Sequence, residues 1–346
     1  MTPEAHLAKL RARLSRGAPL AVTRAAVAGG SPQALGLAVA LIDTGAAVTL
    51  IEADDWDAAR ARDALKRSGR GAGIRLVTDM AEAEGADLLV EASGGGAAER
   101  RSLLRGLMAA APGALAVSLG PGVTLGALRE GLGGPVALVD TDAPPPAIGL
   151  MEIVKGSDTR ALGLAWRLGA LPVVVPGFKG ARLVATLEDE AEALVFQGST
   201  PWEVDAAAEG FGFTLGPCAA QDLRGLDRAH ARHRAQGHAL PLLARMVPEG
   251  RLGRKGGVGW YRYPGGGGRV IDPLIEDLAR EEAHFAGVTP RPIPEAEIVD
   301  RLLRALVRTA LSLGIEAGIV DLISVMACGF PEEKGGVLFH HHALNG

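Results

Sequence analysis

The chain has no histidine between His6 and His230, and only two cysteines, Cys218 and Cys328, in 346 residues. The cysteines stand far apart and form no CxxC pair. That excludes a disulfide framework and a cysteine-rich zinc site, and makes a reducing cytoplasm the default compartment. A basic excess is also missing: the formal charge is −4, and the arginines are spread along the chain instead of forming runs. The polyelectrolyte attraction on which nucleic-acid binding rests is therefore absent. No run is long and apolar enough to span a bilayer. The opening segment MTPEAHLAKLRARLSRG alternates charged with apolar residues and lacks the apolar stretch of a signal peptide, so residues 1–18 read as an amphipathic helix.

What is present is an ordinary globular composition, 48% hydrophobic and 22% charged, in a chain long enough for two or three domains. From Pro19 to Val27 a short strand is predicted, followed by the stretch AVAGGSPQALG, residues 26–36. Ser31 is placed to cap a helix, Pro32 suits its first position, and Gly45 stops it. The segment AVTLIEADD then resumes as a strand ending on Glu52. A βαβ unit with an acidic residue at the end of its second strand has the layout in which a carboxylate meets the ribose of NAD. Further strands are predicted at GIRLVT, ADLLVEA, ALAVSLG and PVALVDT, so the first half reads as a doubly wound, mostly parallel Rossmann-like sheet over 19–175.

The loop departs from a full dinucleotide fingerprint. Where three glycines serve a tight turn, close approach of the pyrophosphate and close helix packing, this chain offers Gly29, Ser31 and Ala34. Serine is small enough to leave backbone access and alanine is a common third residue, so a pyrophosphate can sit over the helix N-terminus. The alternative is a plain βα turn that binds nothing.

The second half contains a degenerate repeat. Glu192–Pro217 and Thr309–Gly336 each show a helix, a break, a Val-Asp step, a second helix and a Gly-Phe turn. A duplicated all-α region follows: a first helical domain over 176–263, a linker over 264–294 and a shorter second copy over 295–346. The glycine-rich, aromatic GRLGRKGGVGWYRYPGGGG lies between the copies and reads as a connector packed by Trp260 and Tyr261. His230, His233 and His238 lie amid Arg228, Arg232 and Arg234, which repel a cation, so a solvated helix face is expected in place of a metal site. His340, His341 and His342 receive no role.

At these segments the chain resembles the 3-hydroxyacyl-CoA dehydrogenase family. PGFKGARLVATLEDEAEALVFQG resembles the entry to that family's first helical domain, and VDAAAEGFGFTLGPCAAQDLRGLD its GF-x-x-GP and D-x-x-GLD pattern. RLGRKGGVGWYRY is similar to its R-x-GRK-x-G-x-G-[FWY]-Y-x-Y motif. CGFPEEKGGVLF resembles the second helical copy of the multifunctional β-oxidation α-subunit, in which an enoyl-CoA hydratase domain comes first. With the first strand beginning at Pro19, no hydratase domain is expected on this chain.

The resemblance implies a Rossmann domain followed by duplicated helical domains of the 6-phosphogluconate-dehydrogenase type. It also implies fatty-acid β-oxidation chemistry: NAD-linked oxidation of a 3-hydroxyacyl-CoA to the 3-ketoacyl-CoA. NAD contacts fall on Gly29, Ser31, Ala34, Glu52 and Glu91, and Arg100 and Arg101 stand where lysines face the CoA. Acyl-CoA, a homodimer through the second half, and a separate hydratase or thiolase are the implied partners. The family's base is a His oriented by a Glu, with a Ser and an Asn placing the substrate oxygens. The Glu is matched by Glu152, but the His position holds Asp140, Ala181 replaces the Asn, and Leu119, Gly120 and Pro121 replace an Asn-Thr-Ser step. Removing the base forfeits roughly 10²- to 10⁴-fold in rate. Two readings stay open: an impaired dehydrogenase with Glu152, and Asp140 if the two share a proton and one works as a carboxylate base, at its centre, and a non-catalytic acyl-CoA or nucleotide binding or assembly module. The alternative for Asp140 itself is that it caps a strand end or faces solvent.

Overall fold

The computed structural model describes all residues except Arg70, 142–147, Gln236, His238, Ala239 and Gly346. It divides into an α/β unit, Ala8–Lys179, and a helical unit, Gly180–Gly346 together with Met1–Leu7. The first helix, α1 (Pro3–Leu14), contributes residues to both.

In the α/β unit the chain runs β1 (Arg24–Ala28), α2 (Pro32–Asp43), β2 (Ala47–Ile51), α3 (Asp55–Ser68), β3 (Ile74–Val77), β4 (Leu88–Glu91), α4 (Ala97–Ala110) and β5 (Leu115–Leu119). It continues through α5 (Leu125–Arg129), β6 (Val136–Thr141), β7 (Leu150–Val154), α6 (Arg160–Arg167) and β8 (Leu171–Val175). The eight strands form one sheet in the order β3-β2-β1-β4-β5-β6-β7-β8. All neighbours pair in parallel except β6 with β7. The expected doubly wound sheet is therefore present, with β7 and β8 as a reversed extension that the sequence reading did not anticipate.

Strand alternation explains the core. Val27, Val90, Val117 and Val139 face one large cluster with Leu37, Leu41 and Leu164, whereas Ala28, Leu89, Ala116 and Leu138 face the opposite side against Leu107, Leu104 and Leu128. Strands buried on both faces must be apolar at every position, which is why they read as continuous hydrophobic runs. The strand order reverses between β1 and β4, and the crevice outside the carboxyl ends of strands at such a reversal is where open α/β sheets bind ligands.

The helical unit bears out the internal repeat in side-chain detail. Its first copy is α7 (Gly180–Phe196), α8 (Pro201–Phe211) and α9 (Pro217–Arg224). After α10 (Leu226–Ala235), α11 (Pro241–Met246), the short β9 (Tyr261–Arg262) and β10 (Val270–Ile271) pair, and α12 (Leu274–Phe285), the second copy is α13 (Glu295–Leu311), α14 (Ala317–Cys328) and α15 (Val337–Asn345). Asp205 on α8 accepts from the N–H groups of Cys218 and Ala219 at the start of α9. Asp321 on α14 does the same for Leu338 and Phe339 at the start of α15. Each carboxylate thus serves donors that a helix start leaves unpaired. A Cβ at Gly216 or Gly336 would collide with the respective aspartate, so the close approach requires glycine at both positions. The third partner differs: Tyr261 Oη donates to Asp205 at 2.8 Å, and His6 Nε2 lies 3.0 Å from Asp321.

The connector is a packed element. Trp260, Tyr261 and Tyr263 are buried, and Asp222 gathers the Trp260 and Tyr261 amides and the Tyr263 hydroxyl at 2.9–3.0 Å. His340 also has a structural place, packing edge-on against Phe211 and tilted against Phe330.

Burial raises several carboxyls of this unit, among them Asp205 and Asp222 to about 6, and Glu192 to about 8. A carboxyl whose folded pKa lies above its unfolded value gives stability that is full below the unfolded value and lost as pH rises through the folded one. The helical unit should therefore be less stable at pH 8.5 than at pH 5. Glu192 Oε1 accepts from the Leu242 and Leu243 amides, and glutamine keeps such an acceptor without a charge. Unfolding free energies from denaturant titrations at the two pH values should differ by about 2–3 kcal/mol less in Glu192→Gln than in wild type. An unchanged difference would remove Glu192 from the account.

Candidate functional site

The first crossover is built as the sequence predicts up to its central residue. Gly29 turns with φ 111°, a region that side chains avoid, and a Cβ there would press on the Ala92 and Ser93 backbone at 3.0 Å. Ser31 caps α2: its Oγ accepts from the Ala34 N–H at 3.1 Å and donates to the Ala92 carbonyl at 2.9 Å. The hydroxyl therefore joins the loop after β1 to the loop after β4. Pro32 at the start of α2 has no N–H to offer. Of the first turn, the Gln33 amide is the donor that neither the proline nor the cap has taken.

Glu52 follows β2 directly. Its carboxyl is buried, its Oε1 has no hydrogen-bond partner among the described residues, and a Cβ at Gly30 would collide with it. Burial, and then the charge of Asp57, push its pKa up to about 7. An orphaned buried acceptor at this place fits the hydroxyl donors of a ribose, whereas the capped α2 terminus presents few amides to a diphosphate.

Glu91 and Arg100 belong to one buried network. Glu91 Oε1 accepts from the amide and hydroxyl of Ser93 at 2.7 and 2.6 Å, and Oε2 from the Ser118 hydroxyl at 2.6 Å. Arg100 is buried, with its Nε 3.9 Å from Glu91. It donates to the carbonyls of Gly95, Leu119, Gly120 and Pro121 and to Ser118. A guanidinium has five N–H donors, and here they are spent on backbone carbonyls, not left for a CoA phosphate. The residue expected to face CoA instead fastens the loops after β4 and β5. Arg101 donates to Ala127 O and pairs with Glu130 at 2.9 Å near the surface.

The two carboxylates at the implied reaction centre stand side by side. Asp140 on β6 is in direct antiparallel register with Glu152 on β7, which places their side chains on one face of the sheet. Both are buried, so Asp140 is a strand residue and not a solvated loop residue. Glu152 Oε2 also accepts from the Lys179 amide at 2.7 Å. Leu119 and Gly120 contribute carbonyls to Arg100, and Ala181 lies in the first turn of α7.

His233 is buried, its Nε2 2.9 Å from Asp189, which corrects the expected solvated face: the α10 helix turns this residue inward against α7. His230 is half-buried, and His238 lies outside the described residues. Among the described residues no group of side chains has the arrangement of a metal site, and no helix is long and apolar enough to cross a membrane. Sequence reasoning missed Ser93 and Ser118 as partners of Glu91. The signal was there: a serine two residues beyond a buried acid, in VEAS, has the spacing of a local side-chain hydrogen bond.

Residues 177–263 match the family described as 3-hydroxyacyl-CoA dehydrogenase, C-terminal domain. The Danio rerio peroxisomal bifunctional enzyme is 28% identical over 377 residues, covering 95% of this chain and 52% of that protein. Over residues 177–263 the chain thus carries the C-terminal domain of the 3-hydroxyacyl-CoA dehydrogenase family, and beyond them it is similar to proteins that contain that domain. The fatty acid oxidation complex subunit alpha of Acinetobacter baumannii (strain AYE) is 27% identical over 216 residues, 54% of this chain and 29% of the relative. The chain spans about half the length, or less, of these curated relatives. Its fold is that of 3-hydroxybutyryl-CoA dehydrogenase from Escherichia coli, with a TM-score of 0.71, 20% identity and coverage of 94% of this chain and 92% of that one. The dehydrogenase part of multifunctional enzyme 1 from C. elegans gives 0.65 at 19% identity, covering 92% and 80%.

Proposed function

We propose that this protein recognises a nucleotide or acyl-CoA without performing the ordinary dehydrogenation of the 3-hydroxyacyl-CoA dehydrogenase family. The observation that carries the reading is the buried Asp140 opposite Glu152, in an α/β unit that contains no imidazole. NAD, when bound, would supply the hydride acceptor; the chain's own task would be to take the hydroxyl proton. A neutral imidazole does that near pH 7 because its ordinary pKa lies there. Glu152 already holds the Lys179 amide, and the groups that place the substrate oxygens in the family are replaced by Leu119, Gly120, Pro121 and Ala181.

A second reading rests on the same register: a carboxylate pair sharing one proton can act as a base near neutrality. A homodimer, and a separate hydratase or thiolase as partner, extend the proposal by family resemblance. Calorimetric titration with acetoacetyl-CoA and with NADH tests the binding half. Saturable heat with either ligand is expected, and the absence of binding to both would leave the assembly role alone. If turnover accompanies binding and is lost in Asp140→Asn, the second reading replaces the first.

A further inference from the structure

We propose that the Ser31 hydroxyl stands where a phosphate oxygen would, so that the crevice outside β1 and β2 takes a nucleoside through Glu52 and does not take the diphosphate of a dinucleotide. This rests on the nucleotide-binding half of the reading above and names the ligand class.

Two independent observations converge. A helix start attracts an anion because its first N–H groups lack partners, and at α2 that demand is largely met internally, with the Gln33 amide left over. Pro32 brings no N–H, and the Ala34 N–H is taken by Ser31 Oγ at 3.1 Å. The same oxygen donates to the Ala92 carbonyl at 2.9 Å, tying the loops after β1 and β4 together across the point where strand order reverses. A glycine at position 31 would leave both the amide and the gap open; a serine fills them with a neutral oxygen. The second observation is Glu52, 5% exposed, with Oε1 unpartnered beside the side-chain-free Gly30. A buried acceptor without a donor is costly, and the vicinal hydroxyls of a ribose are donors of the right chemistry. The two halves of a dinucleotide are therefore treated differently: the diol has an acceptor waiting, and the diphosphate finds the Gln33 amide but not the Ala34 amide, which Ser31 has taken.

The test titrates the full chain with adenosine, ADP and NADH, in wild type, Ser31→Gly and Ser31→Ala. Wild type is expected to bind all three within about threefold of one another, because the phosphates add little beyond the single Gln33 amide. Ser31→Gly should tighten ADP and NADH roughly tenfold or more, the effect of one or two charge-assisted amide bonds, and leave adenosine unchanged. Ser31→Ala frees the Ala34 amide while keeping the Cβ, so it should tighten ADP and NADH by a smaller factor and serves should the glycine variant fold poorly. Glu52→Gln should weaken adenosine in every background. Wild-type NADH binding a hundredfold tighter than adenosine, or affinities unmoved by both Ser31 substitutions, would overturn the assignment to Ser31. No adenosine binding would overturn the assignment to Glu52. These readouts are affinities, so they stand apart from the question of turnover: a catalytically active chain with unchanged Ser31 variants and an inactive chain with tightened ones are separate outcomes.

Discussion

Asp222→Ala is expected to destabilise the helical unit by about 3–6 kcal/mol, since it strands three buried donors at roughly 1–2 kcal/mol each. Those donors are the Trp260 and Tyr261 amides and the Tyr263 hydroxyl, held at 2.9, 3.0 and 3.0 Å. The packing here is close: a Cβ at Gly253 would strike the Asp222 backbone and one at Gly259 its carboxylate. At about 2–4 °C per kcal/mol for a domain of this size, the melting temperature should fall by roughly 10 °C or more. Asp222→Asn retains one acceptor oxygen and should lose about half as much. A loss under about 1 kcal/mol for the alanine variant would mean that Trp260 and its neighbours are held by packing alone.

The second large effect is expected at Arg100. Arg100→Met keeps the aliphatic stem but removes the donors to Gly95, Leu119, Gly120 and Pro121, and leaves buried Glu91 without its neighbouring cation. Breaking such a buried charged network by removing one partner costs about 3–5 kcal/mol. Arg101→Met, by contrast, touches a carbonyl and an exposed pair and should cost under about 1 kcal/mol. Chemical denaturation separates the two variants. If Arg100 served CoA instead of the loops, Arg100→Met would weaken acyl-CoA binding and barely move stability.

The contrast between these arginines shows where the sequence was legible. The α/β core was readable because strands buried on both faces must be apolar, and because Ser31, Pro32 and Gly45 mark the ends of α2 by well-understood chemistry. The Val-Asp repeat was readable too, and its reason is physical: Asp205 and Asp321 each serve the start of the next helix in their copy. The strands β7 and β8 escaped because short apolar runs such as LMEIV do not distinguish strand from buried helix by periodicity. At the site, the family resemblance named Asp140 and Glu152 as candidates, but only the register of β6 and β7 sets them opposite each other. Arg100 and His233 misled for a common reason: one-dimensional charge says nothing of which way a long side chain turns, and both turn inward to partners far along the chain.

The central claim is that the α/β unit keeps the family's architecture without its proton acceptor. The most direct measurement follows NADH consumption with acetoacetyl-CoA, beside a histidine-bearing relative assayed in parallel. The account predicts a rate at least about 10²-fold below that relative, the loss expected when a positioned base is missing. A rate within tenfold of the relative, abolished by Asp140→Asn, would contradict it and make the buried carboxylate pair the working base.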